Sequence, residues 1–308
     1  MNFTITHRAQ LDLRKWDHLV QTSAAPRIYG FSAYLDAVYG EKWAVVTDSG
    51  FTFGMVLFPS VRWLLPSLTQ PPFIQTSGLY GKKCTEEEFI DFLSLLNRKY
   101  WKIGFSLKGE IPAATPGFRT EKRLNLFLPL STSYDLIESG YSTNLKRILS
   151  EGSELSIAEE PPAREFISLA QKKFPPILLG LIDGKQFERY VHRCHRAHLA
   201  EFITARDSSG EMVAGLFAVK DKSRLYLTCP VTGTRGRALN AMHFLIDRLI
   251  EKYGGANYTL DFEGSSISGV ARFYRNFGSL EEFYHSFYKP LLSEKADRIL
   301  KGVLRGKN

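Results

Sequence analysis

The apolar and polar positions of this chain change period several times, and each change marks an element. Between residues 258 and 263 they alternate, Tyr258, Leu260 and Phe262 against Thr259, Asp261 and Glu263. A period of two predicts a strand. Gly264 and two serines break it. From Ile267 the apolar residues fall at Ile267, Val270, Ala271 and Tyr274, the stripe of a helix, and Gly278 stops it. Residues 260–278 therefore read as strand, polar turn, helix. Two carboxylates sit at the strand's end and a tyrosine on the helix's inner face.

The rest of the chain reads the same way. Residues 12–21 and 31–39 predict short helices. Residues 43–47 and 51–58 predict a hairpin across Asp48-Ser49-Gly50. Residues 70–78, rich in turn formers, are either a connecting loop or the wall of a cleft. Thr85 and Glu88 have capping-box spacing, ahead of a helix with Phe89, Phe92, Leu93 and Leu96 inward. Strands follow at 102–107 and 124–130. A second run begins near residue 139. It has a short basic helix over 144–149, a strand over 155–158, helices over 161–172 and 186–196, and three strands over 200–206, 212–219 and 224–228. One long helix spans 236–253, with Met242, Leu245, Ile246, Leu249 and Ile250 inward. A strand over 283–288 and an amphipathic tail helix close the chain. The tail carries six basic and two acidic residues over 289–308.

Length and composition narrow the class. At 308 residues and 44% hydrophobic, the chain is long enough for two domains and apolar enough to fill their cores. No window approaches the roughly 18 continuous apolar residues of a membrane helix. The opening MNFTITHRAQLDLRKWD has no apolar core or small-residue cleavage site, which predicts no signal peptide. Cys84, Cys194 and Cys229 are far apart, which suits a reducing compartment and predicts a cytoplasmic protein without a disulfide frame. The net charge of +8 favours an anionic partner: nucleic acid, a nucleotide-bearing donor or a membrane surface.

Few residues carry chemistry by type and place. Asp261 and Glu263 suit orienting or deprotonating an amine. The alternative for Asp261 is a pair with Arg272 or a cap on the next helix. Tyr274 suits donating a proton to a leaving group, or is a core aromatic. Lys146 and Arg147 suit a phosphate, or form a solvated helix face. His192, His195 and His198 surround Cys194, but Arg189, Arg193 and Arg196 make that helix cationic, and no metal is expected there.

The second run, from helix through antiparallel strands to long helix, strand, short helix and strand, resembles the GNAT acyltransferase fold. In that family a turn ahead of the long helix offers backbone N–H groups to a cofactor pyrophosphate. The matching residues are Gly233, Arg235, Gly236, Arg237 and Ala238, in GTRGRA. A tyrosine four residues before a glycine on the following helix often serves as the acid, and Tyr274 and Gly278 have that spacing. Taken whole, the chain resembles the FemAB-like branch, with two GNAT-like domains in tandem, which attaches amino acids from aminoacyl-tRNA to cell-wall precursors. Asn144-Leu145-Lys146-Arg147-Ile148 resembles the basic segment opening its second domain. Asp261-Phe262-Glu263-Gly264 resembles its D-F-x-G strand end, and residues 273–278 its F-K-x-x-F-G, with Tyr274 in place of the lysine.

The resemblance implies an α/β (α+β mixed) fold of two tandem GNAT-like domains, each a mixed, mostly antiparallel sheet flanked by helices. Their expected spans are 1–135 and 136–288, with a tail helix over 289–308 returning to the first domain or touching a membrane surface transiently. It implies an acyltransferase with Tyr274, Glu263 and Asp261 as catalytic candidates. Lys146, Arg147 and Gln75 are the substrate-binding candidates. The donor is acyl-CoA or aminoacyl-tRNA, the acceptor an amine such as a cell-envelope precursor. The alternative is a non-catalytic GNAT-fold protein that binds an anionic ligand.

Overall fold

The computed structural model describes residues 3–62, 64–109, 115–152, 154–159, 163–173, 184–264 and 267–289. The chain divides into two compact units, residues 1–123 with 283–308, and residues 124–282.

The first unit opens with β1 (Phe3–His7), α1 (Leu13–Gln21) and α2 (Ser32–Tyr39). Asp12 caps α1 by accepting from the amides of Arg14 and Lys15, both at 3.1 Å. Next come β2 (Ala44–Asp48), β3 (Phe53–Leu57), β4 (Pro59–Arg62), β5 (Leu65–Thr69), β6 (Leu79–Gly81), α3 (Glu86–Lys99) and β7 (Lys102–Lys108). The predicted hairpin is β2–β3. Its turn is tied by Asp48, which accepts from the amides of Thr52 and Phe53 at 2.7 and 2.9 Å. The predicted capping box is present at Thr85 and Glu88. Strands β1-β2-β3-β6 form one antiparallel sheet. Strands β4, β5 and β7 lie side by side, β5 and β7 in parallel. Phe89, Phe92, Leu93 and Leu96 of α3 fill the core against Leu57, Leu68, Ile103 and Phe105.

The second unit takes over within β8 (Arg119–Pro129), whose Leu126 and Leu128 belong to its core. It continues with α4 (Tyr134–Ser139), α5 (Thr143–Ser150), β9 (Ser156–Glu159), α6 (Ala163–Lys173), α7 (Gly184–Arg196), β10 (Ala200–Arg206), β11 (Met212–Lys220) and β12 (Arg224–Thr232). Then come α8 (Thr234–Ala238), α9 (Ala241–Tyr253), β13 (Thr259–Asp261) and α10 (Ser268–Arg275). The strand order is β8-β13-β12-β11-β10-β9, antiparallel except for β12 and β13. Leu245, Ile246, Leu249 and Ile250 of α9 pack on it. Last, β14 (Leu280–Lys289) pairs with β7 and brings Phe287 into the first unit's core.

The expected single helix over 236–253 is two helices. Asn240 between them is left-handed, with φ 54° and ψ 26°, which a continuous helix cannot accommodate. Its short amide side chain tolerates that conformation, so the sequence pattern runs across the break unmarked. The division falls at 123 and 282, where the expected spans ended at 135 and 288. The apolar side chains of β8 and β14 decide it: each strand joins the core that its buried residues enter. The expected tail helix lies outside the described residues.

Candidate active site

Strands β12 and β13 run parallel but pair at only three positions, Arg224↔Thr259, Leu225↔Leu260 and Tyr226↔Asp261. Beyond Tyr226, β12 continues to Thr232, held on its other side by β11 through Gly215↔Val231 and Ala214↔Thr232. β13 ends at Asp261; the Phe262 amide still follows its register with β8, donating to Leu126 O at 2.9 Å, but the pairing with β12 is not continued. The two strands therefore part, and a wedge opens between residues 227–232 and residues 262–264. Pro230 sits inside β12, opposite Leu216. Proline has no N–H, and a strand tolerates it only where none is needed. Its nitrogen faces the wedge, and the Thr232 amide two residues on points the same way.

One wall of the wedge is the end of β13. Asp261 is 2% exposed. Its Oδ2 accepts from Arg224 Nη1 at 2.5 Å, and its Oδ1 from Asn125 Nδ2 at 2.9 Å and from the Glu263 amide at 3.0 Å. The expected partner Arg272 is replaced by Arg224, and both carboxylate oxygens are taken. Asp261 thus anchors the strand end. The bond to the Glu263 amide holds Glu263 at φ 63°, the left-handed region. That reverses the chain and turns the Glu263 side chain toward α10, with Oε1 shielded from solvent. There Tyr274 stacks on Phe262, with ring centroids 4.6 Å apart. Burial, and then the Glu263 charge, push the Tyr274 phenol well above its ordinary value. Tyr274 therefore keeps its phenolic proton at neutral pH, and the structure brings these two candidates together.

His243, on the first turn of α9, lies against the same helix, with its ring 4.8 Å from that of Phe273 and edge-on to it. Burial lowers its pKa, against a hydrogen bond with the Asn240 backbone, so the imidazole is neutral near pH 7. Sequence reasoning passed over it as one polar residue in an apolar stripe. Pro230 was a legible signal, since a proline in a strand pattern marks an edge, but the strand was ended at Thr228.

The other wall is the turn after β12. Gly233 caps α8, and its own amide is spent on Val213 O at 2.9 Å. Gly236 is buried against the same carbonyl. A Cβ there would lie 2.3 Å from Val213 O and 2.6 Å from Thr232 Oγ1. Gly236 thus lets the turn press onto β11, whereas a Cβ on Gly233 would meet Val213 O at an ordinary 3.5 Å. Arg235 pairs with the carboxylate of Asp207, while Arg237 is exposed and reaches Thr232 O at 3.5 Å. Ala238 ends α8. The first amides of a helix have no acceptor inside it. The turn thus sets Thr234–Gly236 amides and the Arg237 guanidinium beside the wide end of the wedge.

The other three candidates are on α5 and in a loop of the first unit. Lys146 Nζ donates to Ser139 O at 2.7 Å, and Arg147 pairs with Glu151 at 2.5 Å, both on the exposed face of α5. Gln75 belongs to the first unit, in a loop held by Gln70, whose Nε2 donates to Gln75 O at 2.6 Å. Among the described residues no group of three or more His, Cys, Asp or Glu side chains is placed to hold a metal ion. On α7, Cys194 is buried, and His192 lies 3.8 Å from Glu188.

No protein-family model and no curated protein sequence matches the chain. Solved structures do. FemX superposes with a TM-score of 0.63 at 11% identity, over 97% of this chain and 99% of that one. The C-terminal domain of a putative lysylphosphatidylglycerol synthetase from Agrobacterium fabrum gives 0.57 at 12%, over 95% and 96%. A tandem GNAT protein from the clavulanic acid biosynthesis pathway gives 0.53 at 11%, over 93% and 98%. The fold is mixed α/β, with mostly antiparallel sheets, and of the tandem GNAT type.

Proposed function

We propose that this chain is an acyl or aminoacyl transferase with its active site at the β12–β13 wedge of the second unit. The observation that carries the reading is the parallel pair that parts after three positions, with the Tyr274–Glu263 pair on one wall and the α8 turn on the other. An activated donor, an acyl-CoA or an aminoacyl-tRNA, would lie in the wedge. Its phosphates would meet the first amides of α8 and Arg237, and Thr232 N–H would bond along its length. The amine nitrogen of the acceptor forms a bond to the acyl carbon, and the bond from that carbon to the leaving sulfur or oxygen breaks. Tyr274 O–H supplies the leaving group's proton, and the Glu263 carboxylate takes one from the amine. Positioning supplies much of the rate, so few dedicated side chains are needed. The similar lysylphosphatidylglycerol synthetase, whose name describes an aminoacyl group on a lipid, supports an aminoacyl donor and a cell-envelope acceptor.

A second reading, a non-catalytic protein that binds an anionic ligand, draws on Asp261, which is taken up by Arg224 and leaves one carboxylate fewer for chemistry. Native mass spectrometry of the purified chain with acetyl-CoA, and filter retention of an aminoacyl-tRNA as salt is raised, separate the donors. Binding of neither sinks the transferase reading with these donors. With the donor known, Tyr274→Phe should lower turnover about 10- to 100-fold, or about 1.4–2.7 kcal/mol of barrier, and leave donor affinity unchanged. Unchanged turnover makes Tyr274 a packing residue and favours the second reading.

A further inference from the structure

The β4–β5 hairpin lies at an edge of the first unit, with no strand outside β4 among the described residues. Val61 stands opposite Pro66 across it. Strand β5 runs beside β7 with Ser67 opposite Lys102, and the Trp101 amide donates to Pro66 O at 2.9 Å. Val61, Pro66 and Trp101 therefore form one row across three segments, on one face. Two residues along that face, Leu68 and Ile103 are buried in the core. The row is that core face running out past its cover. Val61 is 73% exposed and Trp101 58%. Leu64, in the hairpin's turn, is 93% exposed and left-handed, with φ 64°. A leucine in that conformation costs roughly 1 kcal/mol, and at this exposure it gains almost no burial within the unit.

Cations flank this patch. Residues 64–69 and 97–102 carry Arg98, Lys99 and Lys102, and no Asp or Glu. Arg98 and Lys99 are exposed in the last turn of α3, three and two residues before Trp101. Lys289 Nζ adds a cation there, donating to Asn97 O and Tyr100 O at 2.9 and 3.0 Å. An apolar tip with an exposed indole, flanked by cations, fits the interface of an anionic bilayer. Leucine and tryptophan enter the headgroup zone while arginine and lysine meet phosphates. A neutral groove on a protein would match the apolar row but leave these cations unanswered.

We propose that the β4–β5 tip and Trp101 dock the first unit on an anionic lipid surface, an inference independent of the transfer reaction proposed above. The test is flotation of the full chain with vesicles of mixed phosphatidylcholine and phosphatidylglycerol, and of phosphatidylcholine alone. The wild type should float with the mixed vesicles, and less with neutral ones. The pair Arg98→Gln and Lys99→Gln should weaken binding about 25-fold at low salt, roughly five-fold per charge. Leu64→Asp should weaken it at least about ten-fold, with the circular dichroism spectrum and melting temperature unchanged, because the Leu64 side chain is exposed. No flotation of the wild type overturns the proposal. Leu64→Asp binding like the wild type overturns it too, and assigns any membrane contact to another surface. If the wild type instead self-associates, and Leu64→Asp makes it monomeric without altering flotation, the edge meets a second copy and the lipid assignment fails.

Discussion

Asp261 shows how one buried side chain can fix the end of a strand. It answers the Arg224 charge, accepts from Asn125, and fixes the backbone of Glu263. Removing one partner of a buried ion pair costs about 3–5 kcal/mol. Glu282 lies 3.3 Å from the same Arg224 nitrogen and remains, so Asp261→Ala should cost near the low end, about 3 kcal/mol. Urea unfolding would show this as a lower midpoint at constant slope. Asp261→Asn, which keeps an acceptor for the Glu263 amide, should cost less, and equal losses would refute the tether. The proximity of Tyr274 and Glu263 is legible in the sequence because a strand and a helix in tandem set both faces. The place of Asp261 is not. Its partners Arg224 and Asn125 lie 37 and 136 residues away, and no local pattern carries such a pairing.

At the scale of elements, sequence period found most helices and the long central strands, where propensity, caps and burial agree. It joined α8 to α9 because the apolar stripe continues in phase through Leu239 and Asn240. Asn240→Gly should leave stability within about 0.5 kcal/mol, since glycine accepts a left-handed backbone as readily. Asn240→Ala should cost about 1 kcal/mol, measured by thermal melting. If alanine stabilises the chain, the break between the helices is not a fixed feature. The short strands β4, β5 and β6 escape the sequence reading because they are brief and their side chains do not alternate cleanly; β1, which does alternate, is only five residues long. β5, for example, has two adjacent buried residues, Ser67 and Leu68, and its register is set by strands distant in sequence.

Across the whole molecule, tyrosine burial sets the response to alkali. Burial raises the pKa of Tyr39 and Tyr100 in the first unit and of Tyr134, Tyr141, Tyr253 and Tyr274 in the second. In the unfolded chain a tyrosine ionises near pH 10. Below that value both states keep their phenolic protons, and these groups leave stability unchanged. As pH rises from there towards the folded-state values, the unfolded chain loses protons that the folded chain keeps, and stability falls. Calorimetry should show a melting temperature indifferent to these groups up to about pH 9 and dropping steeply above about pH 10. A flat profile there would mean that the phenols ionise in place. The two-unit organisation was legible in the repeated order of elements. The return of β14 was not, since Ser286 meets Ser106 across 180 residues.

The parting of β12 and β13 has a consequence for inheritance. A ligand gripped by the Thr232 amide and the first turn of α8 is held by main chain, which substitution does not change. Drift in the neighbouring side chains is then tolerated so long as Pro230 or its equivalent keeps the edge open and the turn stays small. A lineage built on such a grip would keep its shape long after its residues cease to be comparable. FemX, alike in fold over almost the full length of both chains at 11% identity, shows how far residues can differ within one shape.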